Sequence, residues 1–137
     1  KVLKALLDVA FQVTGADIGS IMLLDKAKDE LTIHTSRGIA DEIAQKARVR
    51  LGEGISGTAA KEGESFIIDD TIPDNRIKRY MRRPYLSSSM VVPIKVKDSP
   101  WGVMNLGTLT TSAVRFNIES IQLIHKLIDL ATVALHE

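Results

Sequence analysis

The chain has 137 residues, 45% hydrophobic and 26% charged, with a formal net charge of +1 and no cysteine. Length and balance are those of one globular domain that buries its own core, and the near-neutral charge supplies no whole-molecule field for nucleic acid or an anionic membrane. Without a thiol, a disulfide framework, a thiolate metal site, a cysteine nucleophile and a thioether-linked chromophore are excluded.

The first predicted element is a helix on which Leu3, Leu6, Leu7, Ala10, Phe11 and Val13 recur at helical spacing, closed by Gly15 as a left-handed cap. Ile18 to Leu24 and Leu31 to Thr35 read as two strands of a hairpin around the charged turn Asp25 to Glu30. A short helix follows from Asp41 to Ala47, with Asp41 as its expected N-cap. The glycine-punctuated stretch "LGEGISGTAAKEGE" comes next, then a short strand from Ser65 to Ile68. Asp74 can cap another short helix through Met81, which Pro84 stops. Ser88 to Val96 and Gly102 to Leu109 form a second hairpin with Pro100 expected in its turn. Pro93, lacking an N–H, requires an edge, a bulge or an outward position in its strand. A last helix runs from the N-cap Asn117 to the end. Successive hairpins exclude a doubly wound parallel sheet, so the expected class is α+β with a mainly antiparallel sheet of about five strands.

The longest apolar stretch is interrupted by His125, Lys126 and Asp129 and falls short of the ~20 apolar residues of a spanning helix. No leader pattern opens the chain, and a cytoplasmic location is expected. The chain begins at Lys1 inside one predicted helix and ends at Glu137 inside another, as expected of a single domain cut from a longer polypeptide.

Three motifs invite chemistry. Gly52 to Gly57 spells G-x-G-x-x-G, the phosphate-cradling fingerprint of dinucleotide sites. The helix available before Gly63 is too short to cross back over a sheet, so the plainer reading is a tight turn into a short helix, with amides that suit an anionic group. Gly54 to Thr58 nearly spells the nucleophile elbow G-x-S-x-G but ends in threonine, and no histidine is tied to it. His125 and His136 fall on the polar arc of the last helix and His34 on the polar face of its strand, where it could line a pocket, but one histidine is weak evidence for haem or a metal. "RIKRYMRR", Arg76 to Arg83, holds five cations in eight residues, more often a solvated helix face than a nucleic-acid site.

On a helical wheel of the last helix, Ile121, Ile124, Ile128, Ala131 and Leu135 fill one stripe and Leu123, Leu127, Leu130 and Ala134 the next. Together they span about 180°, against the ~100° a surface helix needs. The first helix has a similar surplus beside its polar strip Lys4, Asp8 and Gln12. Such surplus marks an interaction surface, and a homodimer through Leu3, Leu7, Ile121, Ile124, Ile128 and Leu135 is expected.

Taken together, "GADIGSIMLLD", "LGEGISGTAAKEGESFIIDD", "DNRI", "SSSMVVPIKVKDSPWGVMNLGTL" and "FNIESIQLIHKLIDLATVAL" resemble a GAF domain over nearly the whole chain. The resemblance implies an antiparallel sheet with terminal helices on one face, where members dimerise, and short helices and loops closing a small-molecule pocket on the other. It implies a regulatory domain of a bacterial histidine kinase, cyclic-di-GMP enzyme or transcription activator, attached to an output domain; no catalytic residue, cofactor, nucleic-acid partner or membrane partner is expected. The pocket it implies is lined by Ser56, Thr58, Ile68, Asp70, Asp74, Arg76, Tyr80, Ser89 and Val91. Cyclic-nucleotide-binding members carry an asparagine-lysine pair, a phenylalanine and two acids; Asn105 and Phe116 fit, but Leu106, Ser120 and Ile121 depart. Members that attach bilins or reduce free methionine sulfoxide use cysteine. A small nucleotide-dependent enzyme built on "GEGISG" and a ligand-free dimerisation domain are the alternative readings.

Overall fold

Two hairpins supply four of the strands, and a computed structural model describes residues 2–69, 86–109 and 114–136. In order these are helix α1 (Val2–Thr14), strands β1 (Ile18–Asp25) and β2 (Glu30–Arg37), helix α2 (Asp41–Lys46), strand β3 (Arg48–Arg50), helix α3 (Gly54–Glu62), strands β4 (Phe66–Asp69), β5 (Leu86–Val96) and β6 (Ser99–Leu109), and helix α4 (Ile118–His136). The strands form one six-stranded sheet in the order β3-β2-β1-β6-β5-β4, with every described pairing antiparallel. The class is α+β, as expected, with one strand more than expected. The addition is β3, only three residues long, which pairs with Glu30–Thr32 at the edge.

Alternation along the strands divides the interior into two cores. Ile21, Met90, Val92, Ile94, Met104 and Leu106 point to one face, where Leu3, Leu6, Leu7, Ala10 and Phe11 of α1 and Ile124 and Ile128 of α4 cover them. Met22, Leu31, Val91 and Val103 point to the other, beneath Ala59 and Ala60 of α3. No helix among the described residues is long and apolar enough to cross a membrane.

The connections follow their local chemistry. Gly15 closes α1 at φ 74°, its N–H donating to the Phe11 carbonyl at 3.0 Å. The α4 start is a capping box: Ser120 N donates to Asn117 Oδ1 at 2.9 Å, and Asn117 N to Ser120 Oγ at 3.3 Å. Two expectations fail locally. Ala40, not Asp41, is the N-cap of α2, and no side chain caps it; Asp41 is the first helical residue, where its charge still opposes the helix dipole favourably. Pro100 lies in β6 opposite Lys95 rather than in the turn. Lys97 and Asp98 make that turn, both at positive φ, the backbone twist a two-residue hairpin demands. Pro93 meets its requirement for an edge, since β4 pairs β5 no further than Val91. The helix expected from Asp74 to Met81 lies outside the described residues.

The long-range constraint is α3. Its neighbours β3 and β4 are the opposite edges of the sheet, about 24 Å apart at ~4.8 Å per strand. The chain must therefore traverse a whole face, and α3 does so against β5 and β6. Gly57 makes the close approach possible: a Cβ there would fall on the Arg50 carbonyl oxygen, and Gly57 O accepts from Gly52 N at 2.9 Å. Gly54, by contrast, has nothing within 4 Å of a built Cβ and is special only in its φ of 61°. In urea unfolding, Gly57→Ala is expected to cost about 2–3 kcal/mol or more through overpacking, and Gly54→Ala only about 1 kcal/mol through its backbone conformation. Equal losses would contradict this assignment.

Candidate functional site

The face beneath α3 is apolar at one end and polar at its centre. One row of cross-strand neighbours runs from Phe66 through Val91, Asn105 and Ser20 to Ser36, in four adjacent antiparallel pairings. The next row runs from Ile68 through Ser89 and Gly107 to Ile18. Since all these positions alternate with residues of the α1/α4 core, they share the α3 side. Ser56 reaches down from α3 and donates to Asn105 Oδ1 at 2.8 Å, while Asn105 Nδ2 donates to Ser20 Oγ at 3.3 Å. Ser20 is buried, and Asn105, Ser56 and Ser89 are half-buried. The floor so formed, Ser20, Ser56, Ser89, Asn105, Ile68, Val91 and Gly107, carries hydroxyls and an amide but no charge.

Of the residues expected to line a pocket, Ser56, Ile68, Ser89 and Val91 come together on this floor. Thr58 does not turn toward it; its hydroxyl donates to the Gly54 carbonyl one turn back, at 2.6 Å. Asp70, Asp74, Arg76 and Tyr80 lie outside the described residues. Ser20 and Asn105 complete the network. The signal for both was a polar residue inside an apolar strand, "IGSIMLL" and "VMNLG", whose alternation with apolar neighbours assigns them to the opposite face from Ile21 and Met104.

The G-x-G-x-x-G stretch does not have the geometry of a dinucleotide site. That site needs a helix linking neighbouring parallel strands, whereas α3 links two opposite edges of an antiparallel sheet. His34 is exposed at the register shift of β2 against β1. His125, expected to face solvent, is half-buried, with Nε2 2.8 Å from Oγ of Ser65, the residue before β4. Among the described residues, no group of three or more His, Asp or Glu side chains is placed to hold a metal ion.

On the opposite face, the residues expected at a dimer interface need reassignment. Leu3, Leu7, Ile124 and Ile128 are at most 5% exposed and belong to the domain's own core, with Ile121 and Leu135 packed against it. Exposed apolar side chains on these helices include Leu123 and Leu130 of the second stripe of α4, at 39% and 71%, Val133 and Ile118 elsewhere on α4, at 61% and 69%, and Val2, Val9 and Val13 along one side of α1. The helices' polar contacts show how these strips are disposed. Asp8 of α1 pairs with Arg37 of β2, and Arg37 also lies 4.4 Å over the Phe11 ring. On a helical wheel Lys4 and Asp8 lie on the side of α1 away from its valines, as His125, tied to β4, lies on the side of α4 away from Leu123 and Leu130. Since α1 and α4 pack on each other, the two apolar strips flank the groove between them.

Removing the centre of the floor is expected to be felt by both neighbours. Asn105→Leu leaves the Ser56 and Ser20 hydroxyls without the amide they share, and is expected to lower stability by about 1–3 kcal/mol, measured by urea unfolding. Ser56→Ala, which deletes one hydroxyl and leaves the Asn105–Ser20 bond, is expected to cost less than half as much.

Comparison with known proteins agrees with this architecture. Residues 1–136 match the family model described as GAF domain. The GAF domain of an Acinetobacter phosphoenolpyruvate-protein phosphotransferase superposes with a TM-score of 0.74 at 18% identity, covering 98% of this chain and 81% of that one. The second GAF domain of DevS from Mycobacterium smegmatis gives 0.74 at 21% identity, covering 97% and 89%. A free methionine-R-sulfoxide reductase from Neisseria meningitidis, solved with its substrate, gives 0.69 at 18% identity, covering 98% and 79%. A search of curated proteins finds no match. Family model, sheet order and helix placement concur: the chain belongs to the GAF domain family.

Proposed function

We propose that this GAF domain is a sensory and dimerising regulatory domain of a bacterial signalling protein, binding a small molecule on the α3 face and acting on an attached output domain through α1 and α4. The supporting observation is the polar row Asn105–Ser20–Ser36, joined by Ser56 and flanked by Ser89, in a face whose end is apolar. The Ser20 and Ser56 hydroxyls and the Asn105 amide, held by one another, can exchange partners with a ligand at little cost. The ligand-facing set is Ser20, Ser56, Ile68, Ser89, Val91 and Asn105, together with Asp70, Asp74, Arg76 and Tyr80 from the family resemblance. A cytoplasmic location accords with this role.

The departures from the cyclic-nucleotide pattern have structural roles of their own. Leu106 is buried in the α1/α4 core, Ile121 packs against it, and Ser120 completes the α4 capping box. These positions serve packing and capping, which argues against a cyclic nucleotide. Sulfoxide reduction, the activity named for the Neisseria relative, is argued against by the lack of any thiol in these 137 residues. The enzyme reading based on "GEGISG" is disfavoured by the α3 connection. A domain that dimerises without a ligand is the remaining alternative.

A thermal-shift screen over nucleotides, organic acids and aromatics tests the sensing half. A ligand at one hundred times its Kd is expected to stabilise the fold by about 2.7 kcal/mol; no stabilisation by any compound leaves the dimerising role alone. For the helices, sedimentation equilibrium at high micromolar concentration is expected to show a dimer that Leu123→Glu with Leu130→Glu dissociates, helix content being retained. A wild-type monomer would overturn the dimer.

A further inference from the structure

The α3 face and α4 lie on opposite sides of the sheet, and on the α4 side two hydroxyl contacts hold strands that carry floor residues. Ser88 is the neighbour of floor residue Ser89, and Thr108 the neighbour of floor residue Gly107. Both turn to the other face, where they are 2% and 0% exposed with Oγ and Oγ1 2.6 Å apart. Ser88 Oγ also accepts from the Phe116 N–H at 3.4 Å, a long bond. Phe116, 2% exposed, immediately precedes the capping box that starts α4. The second contact is Ser65 to His125, which joins the residue before β4 to the second turn of α4. Both strands involved carry floor residues, Ile68 on β4 and Ser89 and Val91 on β5.

We propose that these two tethers, Ser88 to Phe116 and Ser65 to His125, deliver displacements of the floor to α4. Adjacent residues of a strand share one backbone, so a displacement of that backbone at one position carries the neighbour on the opposite face with it. A group pressing on Ser89 therefore moves Ser88, and with it the anchor of Phe116. Movement of β4 at Ile68 is carried to Ser65 three residues away. The apolar packing of α4 on the sheet is non-directional. Hydrogen bonds have direction and a short range, so they fix where on α4 the strands pull. Their positions, at the helix start and one to two turns into it, set a tilt rather than a uniform shift.

The inference rests on reading the floor as the ligand face, and its test needs no ligand. Ser89→Ile places a wedge on the floor in the intact 137-residue chain. Hydrogen exchange of the amides from Ser120 to Ile128 is then compared with and without the wedge, in the wild-type background and in Ser65→Ala with Ser88→Ala. In the wild-type background the wedge is expected to accelerate exchange about three- to tenfold, the range one net hydrogen bond accounts for. In the tether-free background it is expected to change exchange less than twofold. Equal acceleration in both backgrounds, or none in the wild-type background, overturns the proposal. If the double variant does not fold, each single variant is compared in the same way and must reduce the response; Ser65→Thr, which keeps a hydroxyl, must restore it. A failed ligand screen or a monomeric protein leaves these outcomes unaffected.

Discussion

The constraint on which this structure depends is that one sheet must be covered on both faces by a chain whose two hairpins cover neither. The terminal helices solve one face with large side chains, Leu7, Phe11, Ile124 and Ile128 among them. The other face is solved by α3, which is short and carries small residues, Gly57, Ala59 and Ala60, where it meets the sheet. The difference in side-chain size sets the difference in role. Large aliphatic residues fill one interior; small ones bring a backbone close to the sheet at one end and leave hydroxyls and an amide at the centre to hydrogen-bond one another.

Much of the fold was legible because it is local. Two hairpins with clear turns, two helices with regular apolar spacing and an asparagine cap announce themselves within windows of a dozen residues. What was not legible depended on partners far away in sequence. β3 is three residues with two arginines; "RVRL" is strand-like in sequence, but only the pairing with β2 adds it to the sheet. The N-cap of α2 fell on Ala40 although Asp41 has the better chemistry, because the backbone enters the helix one residue earlier. Pro100 was given to the turn on its residue type, whereas the turn falls to Lys97 and Asp98, whose left-handed backbone no sequence rule for proline anticipates.

The site was legible in a different proportion. Ser56, Ile68, Ser89 and Val91 share a face, while Thr58 is turned back into its own helix by the Gly54 carbonyl. Asn105 and Ser20 were visible as polar interruptions of apolar strands, but their joint role required the register that makes them neighbours. The terminal helices show the same limit. A helical wheel separated two apolar stripes correctly, yet could not say which of them belonged to the core. The ion pair between Asp8 and Arg37 and the contact between Ser65 and His125 decide that, and both connect residues distant in sequence.

The edges of the sheet bear on how such a domain meets another chain. β3 is three residues and β4 four, so each outer edge offers few unpaired backbone groups. Among the described residues β5 runs on past β4, and this length includes Pro93, which has no N–H to give, and a register irregularity between Ile94 and Lys95. A neighbouring strand finds no long flat template there. Among the described residues, sheet extension, the ordinary route by which β-rich domains aggregate, meets only short strands at the two edges.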